Sequence, residues 1–203
     1  MITGRRPGTL VRALIAALAL LGTLVAGCAD RQQTWQLASA HDLLPELQFT
    51  LTQGDGRTVR AEDFRGKVTL LYFGYTHCPD ECPTTLATLA RAIKPLGPEA
   101  DRVRVLFVTV DPKRDSAEAL KQYARLFGPE FVGLRGDTKQ LQQLTRRYRV
   151  SYGMGPEDAN GDYEVPHSNI IYVFDSEGHA VLVGSDEDGV QAFTHDLKQL
   201  LGT

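Results

Sequence analysis

"KVTLLYFGYTHCPDECPTT", residues 67–85, decides the fold, because a buried strand runs into a pair of cysteines and then into a helix start. Lys67 to Tyr75 is a continuous apolar run rich in aromatic and branched residues, the pattern of a strand covered on both faces. Cys78 and Cys82 follow, with three residues between them. Pro79 and Pro83 each come directly after a cysteine. Proline is favoured in the first turn of a helix and disfavoured inside one. The helix is therefore expected to start at or near Pro83, with Cys78 to Cys82 as the turn leading into it. Cys82 then lies close to a helix N-terminus, where the dipole favours a thiolate.

The flanking elements extend this unit. Thr84 to Lys94 has a helical stripe of Leu86, Leu89, Ala90 and Ile93. Arg102 to Asp111 reads as a second buried strand. Strand, helix, strand at this spacing is a βαβ unit with parallel pairing and a right-handed crossover. Helices are then expected over Ser116–Phe127 and Thr138–Tyr148, with a short strand over Val132–Gly136 between them. Asn169–Phe174 and Ala180–Val183 read as strands joined by the turn Asp175-Ser176-Glu177-Gly178, and Gln191–Leu201 as a closing amphipathic helix. Residues 45–66 read as an N-terminal hairpin turning at Gly54-Asp55-Gly56. The order is an N-terminal β-hairpin, βαβ, an inserted segment, then ββα. This is the ground plan of an α/β thioredoxin-like fold, a mixed central sheet flanked by helices. In that plan the cysteine turn stands at the carboxyl end of a central strand, where reactive groups gather.

The two ends of the chain bear on location. Arg5, Arg6 and Arg12 precede the apolar run Ala13 to Cys28, which suits a signal segment better than a membrane span. The run closes on Leu24-Val25-Ala26-Gly27-Cys28, a sequence that resembles a bacterial lipoprotein box. The resemblance implies cleavage before Cys28 and lipid attachment to its thiol. The expected division is a signal peptide at 1–27, a lipidated Cys28 with a flexible tether through 41, and one domain at 42–203. Export would put the domain on the periplasmic or other extracytoplasmic side of a cell membrane, where disulfides persist. The formal charge is −3, and removing residues 1–27 takes away three arginines and no acids, leaving −6. That balance argues against nucleic acid as a partner.

With Cys28 set aside, Cys78 and Cys82 are the thiols available for chemistry. A disulfide closing so small a loop adds little stability, because the chain-entropy gain grows with loop length. A redox pair and a metal site remain open. A thioredoxin redox pair has two intervening residues; the wider turn here also lets both sulfurs face one ion. Among the five histidines, His77 adjoins Cys78 and points away from the sulfur pair, His41 falls in the tether, His179 follows a hairpin glycine, and His195 lies on the last helix. His167 stands in "YEVPHSNIIYVFD", just before a central strand, in a loop that faces the cysteine turn across the working edge. Topology makes it the best third ligand; a merely solvated loop histidine is the alternative. Two thiolates and an imidazole are a soft set suited to copper.

Three segments in order carry a closer resemblance. "FGYTHCPDECPTTL" holds a Cys-Pro-x-x-Cys-Pro core, "VTVDPKRDSAEAL" holds Val-Asp-Pro-x-Arg-Asp, and "HSNIIYVFDSEG" leads from a His-Ser pair into a strand and a turn. Over residues 42–202 the chain resembles the Sco/SenC family, copper-binding thioredoxin-like proteins of cytochrome oxidase assembly. The resemblance implies Cu(I) or Cu(II) held by Cys78, Cys82 and His167, with Asp80 and Asp111 as acidic positions near the site. It implies delivery to the dinuclear copper centre of cytochrome c oxidase subunit II, with other copper chaperones or thiol reductases as further partners. One departure is Pro166, where many relatives carry Asp. The competing function is a thiol-disulfide oxidoreductase in which Cys78 and Cys82 reduce that partner's cysteines. Two lesser readings are a peroxide-reactive thiol sensor and a lipoprotein with a structural disulfide.

Overall fold

A computed structural model describes residues 34–203. The expected signal segment and Cys28 lie outside the described residues. Eight strands form one sheet among them: β1 (Ala38–Ser39), β2 (Thr50–Gln53), β3 (Thr58–Arg60), β4 (Val68–Gly74), β5 (Val103–Thr109), β6 (Phe131–Arg135), β7 (Ile171–Phe174) and β8 (Ala180–Gly184). Their order is β1-β8-β7-β4-β5-β6-β2-β3. The pairs β4–β5 and β5–β6 are parallel, and the others are antiparallel. Four helices accompany the sheet: α1 (Glu81–Ile93), α2 (Ala117–Arg125), α3 (Thr138–Arg147) and α4 (Gly189–Leu201). The expected plan is present as β4-α1-β5, the insertion α2-β6-α3, then β7-β8-α4, and the mixed sheet is flanked by helices. The N-terminal hairpin β2–β3 joins the sheet through β6.

Every residue of β4 is buried, and β5 is buried except at Arg104. Each fully buried Leu or Phe of these strands contributes ~1.5–3 kcal/mol, which is why the two read as unbroken apolar runs. α1 buries Leu86, Leu89 and Ile93 and packs against α4. Capping explains the helix starts. The Ser116 side chain accepts from the Ala119 N–H at 3.1 Å. Asp137 and Gln140 bond each other's backbone N–H groups reciprocally at the head of α3.

Most boundaries shift by a residue or two, and two departures matter for the site and the domain limit. α1 begins at Glu81 rather than Pro83, so Cys82 is its second residue. The first four N–H groups of a helix lack intrahelical partners, so proline fits at its third position as well as at its first. The expected tether through residue 41 also ends sooner. Leu37 and Ala40 are buried, and Ala38 and Ser39 pair with β8. The fully buried carboxylate of Asp196 on α4 accepts the N–H of Gln36 at 3.0 Å and of Leu37 at 2.8 Å. A buried side-chain acceptor is what lets so polar a stretch dock, and the packed chain starts near Trp35.

The register places the site. Gly74 and Thr109 are partners at the ends of β4 and β5, so the loops after both strands leave the same edge side by side. Val110 N–H donates to the Gly74 carbonyl at 2.8 Å and ties them together. β7 runs antiparallel to β4 with Ile171 opposite Tyr72. The chain entering β7 therefore arrives at the edge that the cysteine turn leaves.

Candidate metal centre

Cys82 is fully buried and Cys78 half-buried, and both are free thiols. The Cys82 N–H, one of the unpartnered donors at the head of α1, donates to Cys78 Sγ at 3.3 Å. Gly74 makes room for the buried sulfur: a Cβ there would stand 2.8 Å from Cys82 Sγ and 2.7 Å from the Phe107 ring. His167 arrives from 85 positions away with Nε2 3.3 Å from Cys82 Sγ. The two sulfurs and one imidazole nitrogen lie within 4.8 Å of one another, and among the described residues they form the one group of three or more His, Cys, Asp or Glu side chains so placed.

The imidazole has a fixed tautomer. Its Nδ1 lies 3.1 Å from the Ser168 carbonyl oxygen. A carbonyl can only accept, so Nδ1 carries the proton, and Nε2 is presented to the sulfurs. The ring edge packs against Tyr72 at 6.1 Å and Tyr75 at 6.0 Å between centroids. The orienting acceptor is backbone, so the Pro166 departure leaves the imidazole's partner in place. The segment carrying His167 is held by cross-chain bonds: Gly153 N–H to Pro166 O at 3.0 Å, Gly155 N–H to Glu164 O at 2.8 Å, and Ser168 N–H to Ser151 O at 2.9 Å.

The sulfurs differ in charge. A hydrogen bond from the Cys82 thiol holds Cys78 down to about 3 against its partial burial, helped by backbone donors at Cys82 and Asp80. Sharing that bond pushes the buried Cys82 thiol up. The two thiols therefore titrate as a coupled pair, with Cys78 the more acidic. Burial disfavours the imidazolium of His167, but the Cys78 sulfur and the Ser168 carbonyl outweigh it and the net shift is upward. Cys78 and His167 line a cleft of about 420 Å³, with Cys82 buried; the lining includes Asp80, Glu81 and Glu164 and no lysine or arginine.

Of the two acidic positions expected near the site, Asp80 lines this cleft. Asp111 is fully buried behind it, paired with Arg114 and accepting from the Tyr163 hydroxyl at 3.0 Å. His77 turns to Asp115, with Nδ1 3.4 Å from Oδ1. His179 lies among Asp175, Glu177 and Glu46, His195 pairs with Asp196, and His41 pairs with Asp42. The sequence reading missed Asp115. Its fully buried carboxylate accepts from Thr76 N–H at 3.0 Å, Thr76 Oγ1 at 2.5 Å and Thr109 Oγ1 at 2.6 Å, and so holds the start of the cysteine turn. Its loop, Asp111 to Ser116, is polar apart from Pro112 and carries no local mark of that role.

The SCO1/SenC family model matches residues 40–202. The chain is 40% identical to the mitochondrial SCO2 homolog of Bos taurus, over 87% of this chain and 71% of that one. The copper-bound crystal structure of Arabidopsis thaliana ScoI is 34% identical, with a TM-score of 0.71 over 77% of this chain and 98% of that one. The solution structures of apo Sco1 from Thermus thermophilus are 35% identical, with a TM-score of 0.74 over 84% and 99%. Among the described residues no helix is long and apolar enough to cross a membrane. With a family match over nearly all of the packed chain, and a fold shared with solved relatives, this protein belongs to the SCO1/SenC family.

Proposed function

We propose that the protein is a copper metallochaperone whose ligands are Cys78, Cys82 and His167. The observation that carries this reading is the convergence of two sulfurs and one imidazole nitrogen within 4.8 Å, with Cys78 and His167 at the wall of an open cleft. Soft thiolates select Cu(I), and the imidazole adds a donor that also suits Cu(II). Copper here is cargo. Cys78 offers a thiolate at once, and Cys82 gives up its proton on binding, so affinity falls as acidity rises. The acidic lining favours approach of a cation. An open cleft admits a partner's thiols, to which the ion passes by ligand exchange. The partner we infer from the family is cytochrome c oxidase subunit II at its dinuclear copper centre; the Arabidopsis relative binds copper. The proposed address is an extracytoplasmic face, with the domain tethered through lipid on Cys28; the bovine relative is a mitochondrial protein.

The asymmetry of the sulfurs favours a second reading, thiol-disulfide exchange with the same partner. The half-buried Cys78 thiolate would attack a disulfide and the buried Cys82 would resolve the mixed disulfide. His167 is not needed for that exchange.

Copper binding by the reduced domain separates the two. The chaperone reading expects one copper per chain, a thiolate-to-Cu(II) charge-transfer band that changes in His167→Ala, and loss of both Cu(I) and Cu(II) in a Cys78→Ser, Cys82→Ser double variant. Absence of tight copper in the wild type, or binding indifferent to His167, would sink the three-ligand site and leave the exchange enzyme.

A further inference from the structure

His167 stands near the end of an excursion, residues 151–168, that contains no helix and no strand beyond an isolated bridge between Tyr152 and His167. Its far part is fastened to the loop after β5 by the Tyr163 hydroxyl, which donates to Asp111, and above all by Arg114. Arg114 follows β5 in the segment Val110–Asp115, and its side chain is only 17% exposed. Nε donates to the buried carboxylate of Asp111, Nη2 donates to the Tyr163 carbonyl at 2.8 Å, and Nη1 donates to Asp162. The guanidinium carbon lies over the Tyr163 ring, 3.7 Å from its centroid, and 5.7 Å from that of Tyr75. Tyr75 in turn meets the His167 ring edge-on. The anchor does not give: the Asp111 N–H donates to Thr109 Oγ1 at 2.9 Å, and the Pro112 carbonyl accepts from Arg135 at 2.8 Å. Asp115 at the end of the same segment holds Thr76 on the cysteine side.

We infer that Arg114 is a positioning residue for His167, clasping the excursion to the loop after β5 so that the imidazole stays over the two sulfurs. Losing the clasp removes the histidine donor and leaves the dithiol intact. The planar fork and the stacking matter as much as the charge, so lysine does not substitute. The inference rests on the copper reading of the cleft.

The test uses Arg114→Lys, which keeps the charge beside buried Asp111, and Tyr163→Leu, which removes the ring under the guanidinium and the hydroxyl's bond to Asp111 and so weakens the clasp from the excursion side while leaving the Asp111–Arg114 pair. In copper-free protein, amide exchange at Gly153, Gly155 and Ser168 should speed up in both variants while amides of β4 and β5 stay protected. Loaded with copper, both should lose about ten- to a hundredfold in Cu(II) affinity, the range for residues that orient a metal ligand. Their charge-transfer band should move toward that of His167→Ala, with Cu(I) affinity unchanged. Tyr163→Leu added to His167→Ala should cost nothing further. Wild-type exchange and Cu(II) affinity in both variants overturn the inference, and so does a parallel loss of Cu(I) and Cu(II). If the wild type takes no copper, the copper reading fails by itself, and exchange at the three amides alone decides whether the clasp exists.

Discussion

The two halves of the site are built on opposite principles. Cys78 and Cys82 sit where a fully buried strand becomes a helix, with a glycine cut to fit the buried inner sulfur. His167 rides on an irregular excursion held by a few backbone bonds and one arginine clasp. Stiffness comes from burial and regular pairing, and mobility from their absence. One half therefore suits retention of the cargo and the other its admission and release. On the proposed chaperone reading, in which an ion is bound and then passed on, the weaker arm is an asset.

The largest effect should come from stiffening the stiff half too far. Gly74→Ala forces a methyl against Cys82 Sγ and Phe107. Overpacking of this kind costs about 1–3 kcal/mol, and here it also displaces a ligand atom. Chemical denaturation should show the lost stability, and Cu(I) titration a weakened dithiol. Wild-type values for both would mean that the sheet edge yields more readily than its burial implies.

The next contrast lies between the sulfurs. An ordinary thiol near 8.5 alkylates roughly tenfold faster per pH unit until it ionises. Cys78, held down to about 3, is already ionised well below neutrality. Its alkylation by iodoacetamide in the reduced, copper-free domain should therefore be nearly flat across about pH 5–8. Cys82, buried and pushed up, should stay unmodified over the same range. Mass spectrometry of time-quenched samples assigns the adducts. A Cys78 rate that climbs with pH like a free thiol would place the shared proton elsewhere.

The smallest effect concerns Pro166. Its side chain makes no bond to the imidazole, whose Nδ1 proton goes to Ser168 O, and its carbonyl keeps its partner whatever the side chain. Pro166→Asp should change Cu(II) affinity by less than about twofold, well under the cost of removing an orienting bond. A larger change, read by competition titration, would show that the proline ring stiffens the weak arm.

Much of the central frame could be read because its residues answer to one pressure each. Val68–Gly74 and Val103–Thr109 are buried on both faces and consist of little but apolar side chains. α2 and α3 announce their starts through Ser116 and Asp137. The three donor residues were legible because two thiols and a pre-strand histidine have few other uses at a sheet edge. What escaped depended on distant partners. The docking of residues 35–40 needs Asp196, 159 positions from Leu37. The roles of Gly74, Arg114 and Asp115 exist only once two loops lie side by side, and no local pattern encodes that adjacency. The start of α1 slipped by two residues because proline is equally at home anywhere in a helix's first turn.

The span between the ligands has a consequence for folding. Four positions separate the cysteines, close enough for both thiols to reach one ion even in an unfolded chain. The histidine lies 85 positions beyond Cys82, and nothing short of the native topology brings it there. Whatever the imidazole adds to copper affinity is therefore bound up with the free energy of folding itself. An ion gripped by sulfur alone can travel with either state of the chain. One that needs the third donor acts as a staple, and its melting curve reports how much of the grip belongs to His167.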